Sequence, residues 1–392
     1  MEVLFQLKQM QFTQDLENLG AEIFVVGGIV RDHLIGRPSK DIDLVIRLIP
    51  MEQLIGVLEK HGSVDLVGKS FGIIKFVPTG WTDEAIDIAL PRTERKIGIG
   101  HQGFDVNVDH TMPLEEDLKR RDFTLNAMAV HLQGGLIDPF GGLNDLNSGV
   151  ISVITDQSFT DDPLRMLRAI QFCARFEMRL CFNTHHQMIA NKELLREISG
   201  ERILIEFDKI FEKATPDGKA WATTMMRMAG LFPIILGHEL PYLEGGMHLA
   251  KTRGDFYYLM LRGGRPVDEL YTEVLRGDVD TAKDLKATAF LKTYLGVDPI
   301  ENRLLLSKAY KISPRIFDSG LFEDVKEFTE LRERKYPRSI TEMEINGDQL
   351  KEMGYVGVDI GIKLSEIQRD IYSDKIPNEY SAIAETCQRV RK

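Results

Sequence analysis

The sequence predicts an α+β fold, with a mixed head followed by an all-helical remainder. Three observations carry this. Short runs rich in Val and Ile (IFVVGG, DIDLVI, IIKFV, AIDIAL and FDVNVD) fall within residues 1–150. They are bounded by Gly, Pro or Asp, as strands are. Spaced apolar positions in VRDHLIG, MEQLIGVLEKHG and LEEDLKRRDFTLNAMAV mark helices among them, without the strict alternation of a doubly wound sheet. Beyond DPFGGLNDLNSG, residues 138–149, the character changes, and from Pro163 onward nearly everything reads helical, punctuated by TPDG, LGHELP, LRGGRP and LGVDP.

The 392 residues exceed one compact core, so two or more domains are expected. A 43% hydrophobic and 28% charged composition is that of an ordinary globular chain. No run approaches the roughly twenty apolar residues that span a bilayer. The N-terminus is acidic and polar where a secretory signal is basic and then apolar, so a cytoplasmic location is expected. Cys173, Cys181 and Cys387 form no C-x-x-C pair, and the nine histidines lack metal-ligand spacing, so neither a disulfide framework nor a zinc site is indicated.

The net charge of −11 argues against wholesale coating of nucleic acid. Its distribution softens that objection. Residues 1–150 hold 14 Lys and Arg against 22 Asp and Glu, whereas residues 151–213 hold 9 against 10. The deficit sits at the front of the chain, where carboxylates placed to bind metal would account for part of it.

Two glycine patterns are decoys. GIGHQG, residues 98–103, matches G-x-G-x-x-G but precedes a strand-like run rather than a helix, and reads as a mobile loop. GSVDLVGKS, residues 62–70, misses the P-loop spacing by one residue.

GGIVRDHLIGRPSKDIDL, residues 27–44, is the better candidate. A strand running into Gly27 and Gly28 and then a helix start suits a turn where backbone approaches phosphate, and Arg31 adds a cation. Asp41 and Asp43, two residues apart in an expected strand, place both carboxylates on one face. Hard oxygen ligands paired this way suit Mg²⁺, which also binds substrate phosphates. On their own the two aspartates read more readily as a solvated strand start; the preceding glycines and arginine reverse that in favour of the metal. Asp87 in AIDIAL is either a third ligand or an edge-strand aspartate.

Two further clusters fit the same chemistry. In EEDLKRRDFTLNAMAV, residues 115–130, Arg120, Arg121, Asp122 and Asn126 lie near one expected helix start. Asp122 and Asn126 share a face there, an arginine for a triphosphate beside a carboxylate and an amide for ribose hydroxyls. A solvated helix cap is the plainer alternative. In DDPLRMLRAIQFCARFEMRL, residues 161–180, helical spacing puts Arg165, Arg168, Phe172, Arg175 and Arg179 on one side, with Asp162 three before Arg165. An Asp and an Arg one turn apart either present donors and acceptors to a base edge or form a capping ion pair.

Taken together, GGIVRD with DID, RRDFTLNAMA, DPFGG, DDPLRMLRAIQF and ERILIEFDKI, residues 201–210, resemble in identity and order the class II tRNA nucleotidyltransferases. That CCA-adding family also includes bacterial poly(A) polymerases. The resemblance implies a polymerase beta-like nucleotidyltransferase head with a mixed sheet at 1–150. An all-α neck at 151–213, a body at 214–300 and a tRNA-binding tail at 301–392 would follow. It implies template-independent addition of CMP, CMP and AMP to the tRNA 3′ end from CTP and ATP. Asp41 and Asp43 would be the metal ligands, with Asp87 catalytic beside them; Gly27, Gly28, Arg31, Arg121, Asp122 and Asn126 would bind the nucleotide. Asp162 and Arg165 would read the base with Arg168 assisting, while Glu201 and Arg202 buttress them.

There are departures from the family pattern. Asp161 replaces a usual Glu, and Gln171 stands where a third neck arginine is common. GKSFGIIKF lacks the basic run of the poly(A) enzymes, which favours the tRNA enzyme. LPRTERKIGIGHQGF, residues 90–104, resembles the flexible loop of full CCA enzymes, and TELRERKYPR, residues 329–338, is a local basic patch in the tail region. Enzymes adding only CC or only A, a poly(A) polymerase, and an inactive RNA-binding relative are the alternatives. The presence of both Asp41 and Asp43 argues against the last.

Overall fold

The computed structural model describes residues 2–39, 41–67, 72–81, 84–96, 104–237, 246–262 and 265–389. The chain forms two compact units, Met1–Ile235 and Leu236–Lys392.

The first unit is built on a mixed sheet. Its strands are β1 (Glu22–Val26), β2 (Asp43–Arg47), β3 (Gly62–Val67), β4 (Ile73–Pro78) and β5 (Ile86–Ala89), with β8 (Ala129–His131) and β9 (Leu136–Ile137) after the β6 (Arg92–Lys96) and β7 (Phe104–Val108) hairpin. They lie in the order β3-β4-β5-β2-β1-β8-β9. All neighbours are antiparallel except β2 and β5, which run parallel with Asp43 opposite Asp87. Central β1, EIFVV, is buried along nearly its whole length, whereas β4, IIKFVP, alternates buried with exposed residues, the period of a strand with one solvated face. Phe24, Val26 and Val45 of the sheet meet Leu114, Leu118, Ala127 and Ala129 in the core beneath the site.

Helices α1 (Glu2–Gln9), α2 (Gln11–Asn18), α3 (Gly28–Leu34), α4 (Met51–Leu58), α5 (Leu114–Lys119) and α6 (Gly142–Ser148) accompany this sheet. They lead through α7 (Ser158–Asp161) into α8 (Arg165–Phe176), α9 (Phe182–Asn191), α10 (Gly200–Lys213) and α11 (Pro216–Met228). A short parallel pair, β10 (Val150–Ile151) with β11 (Arg179–Leu180), clips the start of this helical layer to the end of α8. Helix α8 is amphipathic. Met166, Leu167, Ala169, Ile170, Cys173 and Ala174 are buried, and α11 approaches so closely that a Cβ on Gly218 would lie 2.3 Å from the Ala174 carbonyl oxygen. Burial pushes the Cys173 thiol up to about 12, so it serves as an apolar filler.

Three expectations are corrected. Residues 114–130 are not one helix. Helix α5 stops at Lys119, Thr124–Asn126 form a single 3₁₀ turn, and Ala129–His131 pair with β1. The apolar spacing mimics a helix, but Phe123, Leu125, Ala127, Met128 and Ala129 are all fully buried, more than one helical face can bury. Second, β2 begins at Asp43, so Asp41 precedes the strand. Third, α8 ends at Phe176, where Glu177 turns left-handed at φ 57°, and Arg179 sits in β11, off the arginine face. The GIGHQG segment lies outside the described residues.

The second unit is helical. The boundary falls at the end of α12 (Phe232–Leu236), and the main elements of the second unit are α13 (Arg253–Leu261), α14 (Val267–Glu269), α15 (Val279–Tyr294), α16 (Pro299–Ile312), α17 (Lys326–Arg332), α18 (Gly347–Glu352), α19 (Val358–Tyr372) and α20 (Tyr380–Arg389). Thr252 and Asp255 close a reciprocal cap on α13, and the buried Asp255 also accepts from Ser319 Oγ and the Gly320 amide. Arg303 and Glu330 form a buried ion pair at 2.7 Å, with the guanidinium over the Tyr336 ring. Among the described residues no helix is long and apolar enough to cross a membrane.

Candidate active site

The motifs converge on one cavity of about 490 Å³ within the first unit. Gly28, Arg31, Asp43, Asp87, Arg121, Asp122, Asn126, Asp162, Arg165 and Arg168 all line it, as do Arg92, Arg120 and Phe172. Six arginines against four aspartates make a wall suited to a polyanion. Residues more than a hundred positions apart reach it because β1 and β2 present Gly28 and Asp43, the RRD segment crosses beside them, and α8 closes one side.

Gly27 explains the glycine pair. Its φ of 75° disfavours any other residue, and a Cβ there would lie 2.5 Å from Arg121 Nη1 and 3.8 Å from Asp43 Oδ2. The turn therefore clears the space that Arg121 occupies. Arg121 is deeply enclosed, and burial, opposed by Asp117, lowers its pKa.

The carboxylates sit close to Arg121. Parallel register places Asp43 beside Asp87, and Asp87 Oδ1 accepts from Lys75 Nζ at 2.8 Å. Burial raises the Asp43 pKa, Arg121 opposes that, and the like charges of Asp87 and Asp41 add to it. Asp41 itself is exposed and is not among the lining residues. Among the described residues no three His, Cys, Asp or Glu side chains converge on a common point. One or two carboxylates facing an arginine-lined space nevertheless match a cation such as Mg²⁺, which takes its remaining ligands from water and substrate phosphates.

Asp122 is the hub. Its Oδ2 accepts from Arg168 Nη2 at 2.6 Å and Nε at 3.0 Å, and its Oδ1 from Asn126 Nδ2 at 2.8 Å and the Phe123 amide at 2.9 Å. Burial pushes its carboxyl up, but Arg168 and Asn126 outweigh that and hold it below the usual range. The expected Asp122 and Asn126 pairing thus exists, made by a 3₁₀ turn. Asp162 lies before α8 in extended conformation, accepting from the Leu164 amide at 3.2 Å and facing Arg202 Nη2 at 3.5 Å. Arg165 Nη2 donates to the Arg120 carbonyl at 2.6 Å.

Arg31 differs from expectation. It is only 4% exposed, and its donors go to Asp32 Oδ1 and Asn126 Oδ1 while its guanidinium faces Phe172 and Phe176. It braces α3 against α8 from the cavity wall. Arg92, a strand arginine in a polar hairpin, carries no local signal of a site role in the sequence, and neither do Asp32, Lys75 and Asp117. The RR pair did signal Arg120.

Residues 23–152 match the poly A polymerase head domain, and residues 178–244 match the domain described as a probable RNA and SrmB-binding site of polymerase A. Through these two domains the chain belongs to the poly(A) polymerase family. Among family members, the CCA-adding enzyme of Bacillus licheniformis is 36% identical over 267 residues, 66% of this chain and 62% of that protein. The chain spans less than two thirds of the length of such curated relatives. In fold, it resembles the Bacillus stearothermophilus CCA-adding enzyme solved with CTP, with a TM-score of 0.75, 23% identity and coverage of 100% of this chain and 98% of that one. The Thermotoga maritima CCA-adding enzyme complexed with tRNA superimposes with a TM-score of 0.67 and 24% identity over 95% and 92% of the two chains.

Proposed function

We propose that this family member adds CMP, CMP and AMP to the 3′ end of tRNA, using CTP and ATP and no nucleic-acid template. One observation carries the reading: a single cavity joins an aspartate pair, a wall of arginines and the Asp162 and Arg165 pair. Arg92, Arg120 and Arg121 bind the triphosphate, Gly27 leaving room for the Arg121 side chain and Gly28 lining the cavity, and Arg31 holds the wall. Asp122 and Asn126 meet the ribose hydroxyls. Asp162 and Arg165 offer an acceptor and donors to the base edge, with Arg168 beside them. Asp43 in the cavity and Asp41 just before its strand would hold Mg²⁺, with Asp87 in register beside Asp43. Mg²⁺ when bound neutralises phosphate charge and favours the ionised 3′-hydroxyl. The tRNA 3′-oxygen bonds to the α-phosphorus, the α–β bridge breaks, and pyrophosphate leaves.

On this reading residues 1–150 are the head, 151–213 the neck, 214–300 the body and 301–392 a tail that holds tRNA, and the chain works in the cytoplasm. The test is incubation with tRNA lacking its 3′ end and with CTP, ATP or both, followed by product sequencing. Defined CCA ends are expected. Termination at CC, addition of A alone, or a long A tail would each replace this reading by that of a partial or poly(A)-adding relative.

A further inference from the structure

Of three successive acidic residues on α5, Glu115 and Glu116 point to solvent while Asp117 is completely buried. Its Oδ1 accepts from Arg120 Nε at 3.0 Å, from Arg120 Nη2 at 2.8 Å and from the backbone amide of Arg92 at 3.2 Å. Its Oδ2 has no hydrogen-bond partner among the described residues, and Arg121 Nη2 stands 3.9 Å away. A buried carboxylate half satisfied in this way is costly unless its charge is used. Here the one charge lies behind three cavity-lining arginines and ties them together. It forks Arg120, faces Arg121, and pins Arg92, the first residue of the β6–β7 hairpin, to α5.

We propose that Asp117 is a positioning residue for nucleotide binding: without touching the substrate, it presets the arginines that receive the triphosphate. This rests on the nucleotidyl-transfer reading of the cavity. With Asp117→Asn the acceptor is kept but the charge is lost, and an amide Nδ2 faces Arg121. The expected result is a rise of about tenfold in KM for both CTP and ATP, the scale of one charge-assisted hydrogen bond, with kcat changed less than about threefold. Affinity for CMP, which lacks the β- and γ-phosphates, stays unchanged. Leu118→Ala, a core truncation beside it, lowers Tm and leaves the KM values as they are. Should Asp117→Asn not accumulate as folded protein, Asp117→Glu keeps the charge, displaces it by one methylene, and is expected to raise KM in the same way. Unaltered KM, an equal loss of CMP and CTP affinity, or the same KM change in Leu118→Ala would overturn the proposal. CMP incorporation by the parental chain tests the function separately; a parental chain inactive on tRNA still allows the CTP and CMP comparison by equilibrium binding.

Discussion

At the scale of single residues, the site is governed by side chains that occupy one another. Arg121 fits because Gly27 has no Cβ, Arg168 is held by Asp122, and Arg31 is spent on Asp32 and Asn126. Gly27→Ala is therefore expected to separate stability from binding. The added methyl costs about 1–3 kcal/mol at this backbone conformation, which lowers Tm. It also displaces the end of Arg121, so CTP affinity falls by about tenfold, the worth of one charge-assisted contact. Calorimetry and CTP titration of the same sample check both halves; unchanged CTP affinity would show that Arg121 moves aside without consequence.

At the scale of elements, α8 carries the burden of base choice. Asp162 sits in the extended residue before the helix and Arg165 at its first turn, so the helix start fixes their relation, and the Arg120 carbonyl fixes the guanidinium. Arg165→Ala removes donors from the base edge while leaving the carboxylates and the triphosphate wall in place. Incorporation is expected to continue with relaxed choice between CTP and ATP, read by sequencing products formed from each nucleotide alone; retained CTP-then-ATP order would remove Arg165 from this role. Much of this was legible beforehand. The strands β1, β2, β4 and β5 announced themselves by Val and Ile runs with turn residues between, and the charged clusters by their spacing. Residues 114–130 misled because LEEDL and FTLNAMAV each satisfy a helical period, and only pairing of Ala129–His131 with β1 decides otherwise. No local pattern could show that Asp122 meets Arg168, that Arg31 meets Asn126, or that Asp117 is buried while its two acidic neighbours are not.

At the scale of the whole molecule, the cavity lies entirely within Met1–Ile235, and its core of sheet and α5 residues lies there too. The segment 1–235 expressed alone is expected to fold cooperatively and to bind CTP within about threefold of the full chain, since affinity is set by the groups that touch the ligand. Addition to tRNA by that segment should fall much further, because the proposed tail is missing. Thermal unfolding, CTP titration and the tRNA assay on the two lengths of chain check this. A segment that folds but loses CTP binding would place part of the nucleotide site in the second unit.

The in-register pairing of Asp43 with Asp87 across β2 and β5 has one more consequence. The separation of their Cα atoms is a property of the backbone, fixed by the strand spacing of about 4.8 Å, while Lys75 holds the Asp87 carboxylate. The head should therefore tolerate extensive repacking around these two aspartates and yet be intolerant of a single inserted or deleted residue in either strand, which would turn one carboxylate to the opposite face. Mutational robustness and indel fragility would then coincide at the same nine positions of β2 and β5, a signature that a deep insertion and substitution scan of the head can read directly.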